Sequence, residues 1–341
     1  MANRRNFLKS TGIAATLGVT GLAGCTGGND GGSGSTDQST EGGSESATSE
    51  STGTESSGDS ETSFGNGELN FLMSPSEPQD TMMAQYKPVK QRLDEQLSVP
   101  TSLKYARNYS AVLTALETGT GDVAETGPFA AALGVNADKA EIALQRKGYG
   151  SWTYTSVIIT QADSDISSLE DLKGKTIAFS DRLSASGALF PLYMLKQAGL
   201  NIGDLPTGEG ANADFEAQFA GGHSAAFAAL TNGQVDAAGV GEFITLNDER
   251  KKKSGISYTK KYDGIPRAPI VVSPKLSDEE QSTVVSALEN APEKMYLGAD
   301  GEADTEDDLW FSGLRPADKS TYQPVIDVAK DLGVETEFLD G

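Results

Sequence analysis

The sequence predicts an α/β fold with mainly parallel sheets, in a folded part long enough for two lobes. Three observations carry that expectation. From residue 66 onward β-prone runs alternate with helical runs, the trace that strand–helix–strand units leave in a sequence. About 275 residues follow that point, more than one core usually fills. One helix–stop–strand pattern also occurs twice. Ser110 to Gly119 leads into Gly121-Asp122-Val123-Ala124, and Ser224 to Gly233 leads into Gln234-Val235-Asp236-Ala237-Ala238. Two lobes built on one plan would produce this repeat, and unrelated βα units converge on such patterns as well.

The elements follow in order. Glu68 to Met73 reads as a strand on Leu69 and Phe71, and Met82 to Leu97 as a helix. Leu103 to Ala106 reads as a strand. Tyr109 to Glu117 reads as a helix stopped near Gly119, since glycine accepts the left-handed turn at a helix end. Asp122 to Glu125 is a short strand, and Ser156 to Thr160 is β-prone through Val157, Ile158 and Ile159. Thr176 to Phe179 reads as a buried strand leading into a helix from Gly187 to Gln197, stopped by Gly199. His223 to Thr231 is helical and capped by Asn232-Gly233, with a strand from Val235 to Val240 after it. Ile270 to Val272 is a strand, and Leu276 to Leu297 and Tyr322 to Leu332 are amphipathic helices.

The first 25 residues have a different character. Arg4 and Arg5 precede a short apolar run, Gly12 to Ala23, and Leu22-Ala23-Gly24-Cys25 closes it. This resembles a twin-arginine export signal ending in a lipobox. The run is far below the roughly 18 residues a spanning helix needs, so cleavage is expected, with Cys25 as the lipid-bearing first residue of the mature chain. The expected location is the outer face of the cytoplasmic membrane. Residues 26–65 hold 28 Gly, Ser or Thr and eight acids, a composition that cannot bury a core and reads as a hydrated tether.

Composition excludes several functions. Cys25 is the only cysteine and His223 the only histidine, so intrachain disulfides and Cys- or His-rich metal sites are ruled out. Little catalytic equipment remains, and no cofactor is implied. The net charge is −22, and residues 66–341 carry 41 acids against 24 bases. Such a surface repels nucleic acid. Acidity spread over a globular domain is also what a salt-adapted protein shows, because at molar salt the Debye length is roughly 3 Å and self-repulsion is screened.

Two segments carry chemistry. Phe179 to Gly187 sits between a strand and a helix, where unpaired N–H groups and the helix dipole suit an anion, and Ser184 and Ser186 add hydroxyls. Ordinary serine capping would look the same. Gly221-Gly222-His223-Ser224 opens another helix, where an imidazole can donate to an oxyanion and glycine lets the backbone approach. A lone exposed histidine is the plainer alternative.

Together these segments carry a resemblance. Ser184-x-Ser186-Gly187-x-x-x-Pro191 is followed by Gly221-Gly222-His223-x-x-Ala226, by Asn232-Gly233-Gln234-Val235-Asp236-Ala237-Ala238, and by Ile265-Pro266-Arg267-Ala268-Pro269-Ile270-Val271-Val272. The chain resembles, over about residues 68–335, the phosphate/phosphite/phosphonate-binding proteins of ABC importers. The resemblance implies a type II periplasmic-binding-protein-like fold, with lobe 1 from residues 66–160 plus 265–341 and lobe 2 from 161–264. It implies a phosphorus oxyanion clamped between lobes and passed to an ABC permease with its cytoplasmic ATPase. By position it assigns the ligand to Ser184, Ala185 and Ser186, to His223, and to the cleft tyrosines Tyr109 and Tyr154. It assigns Glu242 to reading the substituent on phosphorus.

Two positions depart from the family pattern. Ala185 stands where a threonine hydroxyl is usual, and Ala268 stands where the family has an acid. Losing that acid speaks against an aminoalkyl phosphonate. Arg182 and Arg267 lie beside these positions, and a guanidinium in the cleft would favour a more fully charged oxyanion. The readings that compete are the same fold with another anion or organic solute, a ligand sensor for a signalling receptor, and an exported hydrolase using Ser184 or Ser186 with His223. The last lacks the G-x-S-x-G elbow.

Overall fold

The computed structural model describes residues 64 to 340, apart from 65, 66, 98, 248 and 335. The expected export signal with Arg4, Arg5 and Cys25 lies outside the described residues, as does the tether up to residue 63. Phe64, expected in the tether, is fully buried in a core, so the folded part begins before residue 66.

The strands and helices run in the order β1 (Leu69–Met73), α1 (Gln79–Gln85), α2 (Lys87–Leu97), β2 (Thr101–Tyr105), α3 (Tyr109–Thr118) and β3 (Val123–Glu125). Then come α4 (Pro128–Asn136), β4 (Glu141–Gly148), β5 (Thr153–Gln161), β6 (Thr176–Phe179), α5 (Phe190–Gln197), β7 (Glu216–Phe219), α6 (His223–Thr231) and β8 (Ala237–Gly241). The last are β9 (Ile256–Pro266), β10 (Pro269–Val272), α7 (Asp278–Glu289), β11 (Phe311–Pro316) and α8 (Gln323–Asp331).

The strands form two sheets, β2-β1-β3-β10-β4-β11 and β7-β6-β8-β5-β9. In the first, β1 lies parallel to β2 and β3, while β10 pairs antiparallel with β3 and β4. In the second, β6 lies parallel to β7 and β8, while β5 pairs antiparallel with β8 and β9. Five strands therefore repeat the same order and directions. The sheets are mixed, where mainly parallel sheets were expected; the antiparallel pairings come from strands that return across the hinge.

The internal repeat falls on equivalent elements, α3 to β3 and α6 to β8. Gly119 and Gly233 both end their helices in the left-handed conformation, at φ 72° and 71°. Asp122 Oδ2 accepts from Asn70 N at 2.7 Å, and Asp236 Oδ2 accepts from Thr176 N at 2.8 Å. The repeated aspartate thus anchors the start of the neighbouring central strand in both lobes.

Each sheet has an apolar layer on both faces. In the first lobe α1, α2 and α7 cover one face and α3, α4 and α8 the other; in the second, α5 and α6 take opposite faces. The chain crosses between sheets at residues 149–152 and 267–268. All of β5, including Thr153 to Thr160 expected in lobe 1, is hydrogen-bonded in the second sheet, as is the end of β9 at Ile265 and Pro266. Leu183, Ala185, Leu189 and Phe190 join residues of α4 and α8 in one apolar cluster that spans the lobes.

Two expected helices are shorter than their patterns. Met82 to Leu97 breaks at Tyr86, because Pro88 has no N–H to give and its ring crowds the preceding turn. The helix from Leu276 ends at Glu289, shortly before Pro292.

Candidate functional site

The parallel strands β6 and β8 end where α6 begins, and the segment after β6 forms the second wall. Gly221 has φ +79°, a left-handed turn that glycine permits and that brings the chain back from β7. Gly222 is extended and offers no side-chain cap, so the N-terminus of α6 is left open. The first helical residue there is His223.

The imidazole is fixed by three groups. Gly241 N–H donates to Nδ1 at 3.1 Å, so Nδ1 carries a lone pair. Ser180 Oγ lies 2.9 Å from the same nitrogen and therefore donates to it. The neutral ring then has its proton on Nε2, 3.3 Å from Ser184 Oγ. Phe243 packs edge-on against the ring with centroids 5.0 Å apart. Burial depresses the histidine to about 4, so it is a neutral donor at physiological pH.

Ser184 opens a π-helical turn, Ala185–Leu189, and its Oγ accepts from Gly187 N at 3.0 Å. Such turns loosen the helical ladder and recur at functional sites. Gly187 is required for close approach, since a Cβ there would lie 2.3 Å from Ser180 Oγ and 2.9 Å from His223 Cε1. The Ser-Gly of the sequence motif is thus the contact at which the turn meets the histidine. Ala185 is buried and its methyl joins the apolar cluster between the lobes. Ser186 is buried, and its carbonyl accepts from Ser156 Oγ at 2.7 Å.

Of the two tyrosines, Tyr154 stands on β5 of the same sheet and Tyr109 on α3 of the first lobe. Burial raises the phenol of Tyr154, and the hydroxyl and backbone of Ser186 beside it pull it back. Phe243 also tilts against Tyr154, with centroids 6.4 Å apart. Tyr109 starts α3 behind its N-cap Asn108, at the position that matches His223 in the repeat. Its phenol is raised by burial first, then by the charges of Glu125 in its own lobe and Asp181 in the other. Tyr154, Ser184, Ser186 and His223 thus stand together in the second lobe, and Tyr109 of the first lobe feels the charge of Asp181 and the phenol of Tyr154.

Glu242 does not join them. Its carboxylate pairs with Lys261 Nζ on β9 and makes no hydrogen bond to Ser180, Ser184 or His223. Arg182 is turned away as well. It stacks on Phe219 at 4.1 Å and donates to Pro206 O, Gly208 O and Glu209. Arg267 lies at the hinge, beside Tyr154, with Cζ 5.6 Å from the ring centroid. Ser180, Gly241 and Phe243 were missed in the sequence. Ser180 follows β6 directly, and its place next to the serine-rich loop was the one signal available for it.

Comparison with known proteins gives a consistent picture. A family model described as "ABC transporter, phosphonate, periplasmic substrate-binding protein" matches residues 71–322. The chain is 33% identical over 171 residues to the phosphate-import protein PhnD of Mycolicibacterium smegmatis, across 48% of this chain and 51% of that protein. It is 28% identical over 232 residues to the phosphonates-binding periplasmic protein of Escherichia coli, across 65% of each. The chain thus spans between half and two thirds of the length of the curated relatives it matches. Among solved structures, PhnD1 from Prochlorococcus marinus in complex with methylphosphonate superimposes with a TM-score of 0.62 at 19% identity, over 78% of this chain and 98% of that one. A binding-protein component of an ABC phosphonate transporter from Pseudomonas aeruginosa gives 0.62 at 22% identity, over 78% and 86%. These likenesses show the fold, a type II periplasmic-binding architecture.

Proposed function

The chain belongs to the family of periplasmic substrate-binding proteins of phosphonate ABC transporters, and from that premise we propose that its cleft captures a phosphorus oxyanion for delivery to a membrane permease. The observation that carries this reading is the donor set. His223 carries Nε2–H 3.3 Å from the Ser184 hydroxyl, Ser186 follows in the same π-turn, and α6 begins there with no side-chain cap on its N-terminus. A tetrahedral oxyanion presents several acceptors that such a set satisfies together. Tyr154 adds a phenol from the second lobe and Tyr109 one from the first, so a ligand touching both lobes would favour the closed arrangement.

The ligand we propose has a small or absent substituent: phosphate, phosphite or methylphosphonate. An aminoalkyl phosphonate needs an acid for its ammonium. Position 268 is alanine, and the carboxylate of Glu242 is taken by Lys261. The same arrangement gives little to a hydrolase. Nδ1 of His223 accepts from the backbone, so Nε2 carries the proton and cannot serve as the base for Ser184. Lipid anchoring through Cys25, export through Arg4 and Arg5, and coupling to the ATPase belong to this proposal, on the sequence pattern alone.

The test is a thermal-shift screen of the full chain in high salt against phosphate, phosphite, methylphosphonate, aminoethylphosphonate, sulfate and molybdate. A ligand at about 100 times its Kd adds about 2.7 kcal/mol and raises Tm. The expected result is a shift with the first three. A shift with sulfate or molybdate alone, or with none of the six, would contradict the reading.

A further inference from the structure

Arg267 is a buried cation with no counter-charge beside it among the described residues. It is 7% exposed. Its backbone N–H donates to Trp152 O at 3.0 Å and its Nε–H to Ser151 O at 3.0 Å, so it ties the two chain crossings together. That is its one side-chain hydrogen bond among the described residues, and no carboxylate there lies within ion-pair distance of it. The other buried arginine is treated differently, since Arg146 is matched by Glu125 at 2.9 Å.

Around Arg267 stand aromatic faces. Its Cζ lies 5.4, 5.6 and 5.9 Å from the ring centroids of Tyr149, Tyr154 and Trp310. Rings attract a cation without cancelling its charge. A guanidinium kept largely from water with no carboxylate beside it among the described residues is costly to hold, and a bound anion nearby lowers that cost. Tyr154 is the link to the cleft, with its ring beside Arg267 and its phenol beside Ser186.

We propose that Arg267 balances the charge of the bound oxyanion across the Tyr154 ring, and so makes the site selective for doubly charged over singly charged oxyanions. This rests on the oxyanion reading above and adds the charge state of the ligand to it. Inside the protein, charges interact over such distances with an effective dielectric near 20, far more strongly than in water. Salt screens them little, whereas exposed charges are screened within a few ångströms at molar salt.

The experiment is calorimetric titration of the full chain, near pH 8, with inorganic phosphate as the dianion and hypophosphite as the monoanion. Wild type, Arg267→Lys and Arg267→Gln are compared at about 0.1 M and about 1 M KCl, with ligand-free Tm recorded for each. Wild type should prefer phosphate. Arg267→Gln should lose about tenfold in phosphate affinity, equivalent to about 1.4 kcal/mol, and less than about threefold for hypophosphite. Arg267→Lys should keep most of the phosphate affinity, and the pattern should persist at the higher salt. Equal losses for both anions, a Lys variant as weak as the Gln variant, or a wild type that binds both anions alike would overturn the role of Arg267. The wild-type comparison decides even if Arg267→Gln does not fold. A wild type that binds neither anion would overturn the oxyanion reading itself, and this inference with it.

Discussion

The two lobes put the same scaffold to different uses, and the difference is sharpest at the ends of their central strands. After β1, Ser74 Oγ donates to Glu125 O at 2.7 Å, and Ser74 N donates to the Glu125 carboxylate at 2.6 Å. That carboxylate meets Arg146 at 2.9 Å, with both side chains at most 3% exposed. After β6, the equivalent Ser180 lies 3.4 Å from Gly239 O and 2.9 Å from His223 Nδ1. Where the first lobe has Glu125, the second has Gly239. The first lobe thus closes its polar groups on a buried ion pair, while the second has no charged partner there and sets the neutral His223 ring between Ser180 and Ser184. One fold plan, repeated, can supply rigidity on one side of a cleft and ligand donors on the other.

The largest expected effect comes from opening the closed side. Glu125→Ala leaves Arg146 buried and uncompensated and should cost about 3–5 kcal/mol in denaturant unfolding. A loss under about 1 kcal/mol would show that the pair is not what holds the first lobe. Gly187→Ala attacks the open side, because its Cβ would press on Ser180 Oγ and His223 Cε1. It should cost about 1–3 kcal/mol of stability by overpacking and abolish tight oxyanion binding. Wild-type affinity in this variant would break the comparison.

Removing single donors is milder. His223→Ala, Ser184→Ala and Ser186→Ala should each weaken phosphate or methylphosphonate binding by about 1–3 kcal/mol in calorimetry. The same three substitutions would exclude the donor set if affinity held in all of them. Acid gives a further handle on His223. Folded, it titrates at about 4; unfolded, it titrates near 6.5, so between these values the unfolded chain holds the extra proton. Wild type should lose stability as pH falls from about 6.5 toward 4, and His223→Asn should lose less over that window. Parallel pH curves for the two proteins would contradict the neutral imidazole. The smallest effect belongs to Glu242→Gln, which breaks a half-exposed pair with Lys261 and should change stability by less than about 1 kcal/mol.

Much of this was legible in the sequence, for physical reasons. The repeat showed because Gly119 and Gly233 must turn left-handed and because Asp122 and Asp236 must cap neighbouring strands. The Ser-x-Ser-Gly and Gly-Gly-His segments showed by their order along the chain, since each alone looks like ordinary helix capping. What stayed hidden has equally physical causes. Helix α4, Pro-Phe-Ala-Ala-Ala-Leu-Gly-Val-Asn, is buried nearly all round and has no polar face to reveal its period. Strand β4 carries Gln145 and Arg146 into the interior, where Arg315 and Ala268, far away in sequence, are among their partners. Strand β9 is a half-exposed hinge strand with lysines and an aspartate, and it reads as a loop. The turn of Glu242 toward Lys261, and of Arg182 toward Glu209, depends on tertiary neighbours that no local pattern encodes.

The most direct measurement is the nitrogen-15 spectrum of the histidine side chain, with and without saturating phosphate. His223 is the only histidine, so the signals need no assignment. The account predicts a neutral ring at pH 7, with Nδ1 bare, Nε2 protonated, and the Nε2 signal moving when the oxyanion binds. A proton on Nδ1, an imidazolium, or a ring unmoved by bound ligand would contradict it.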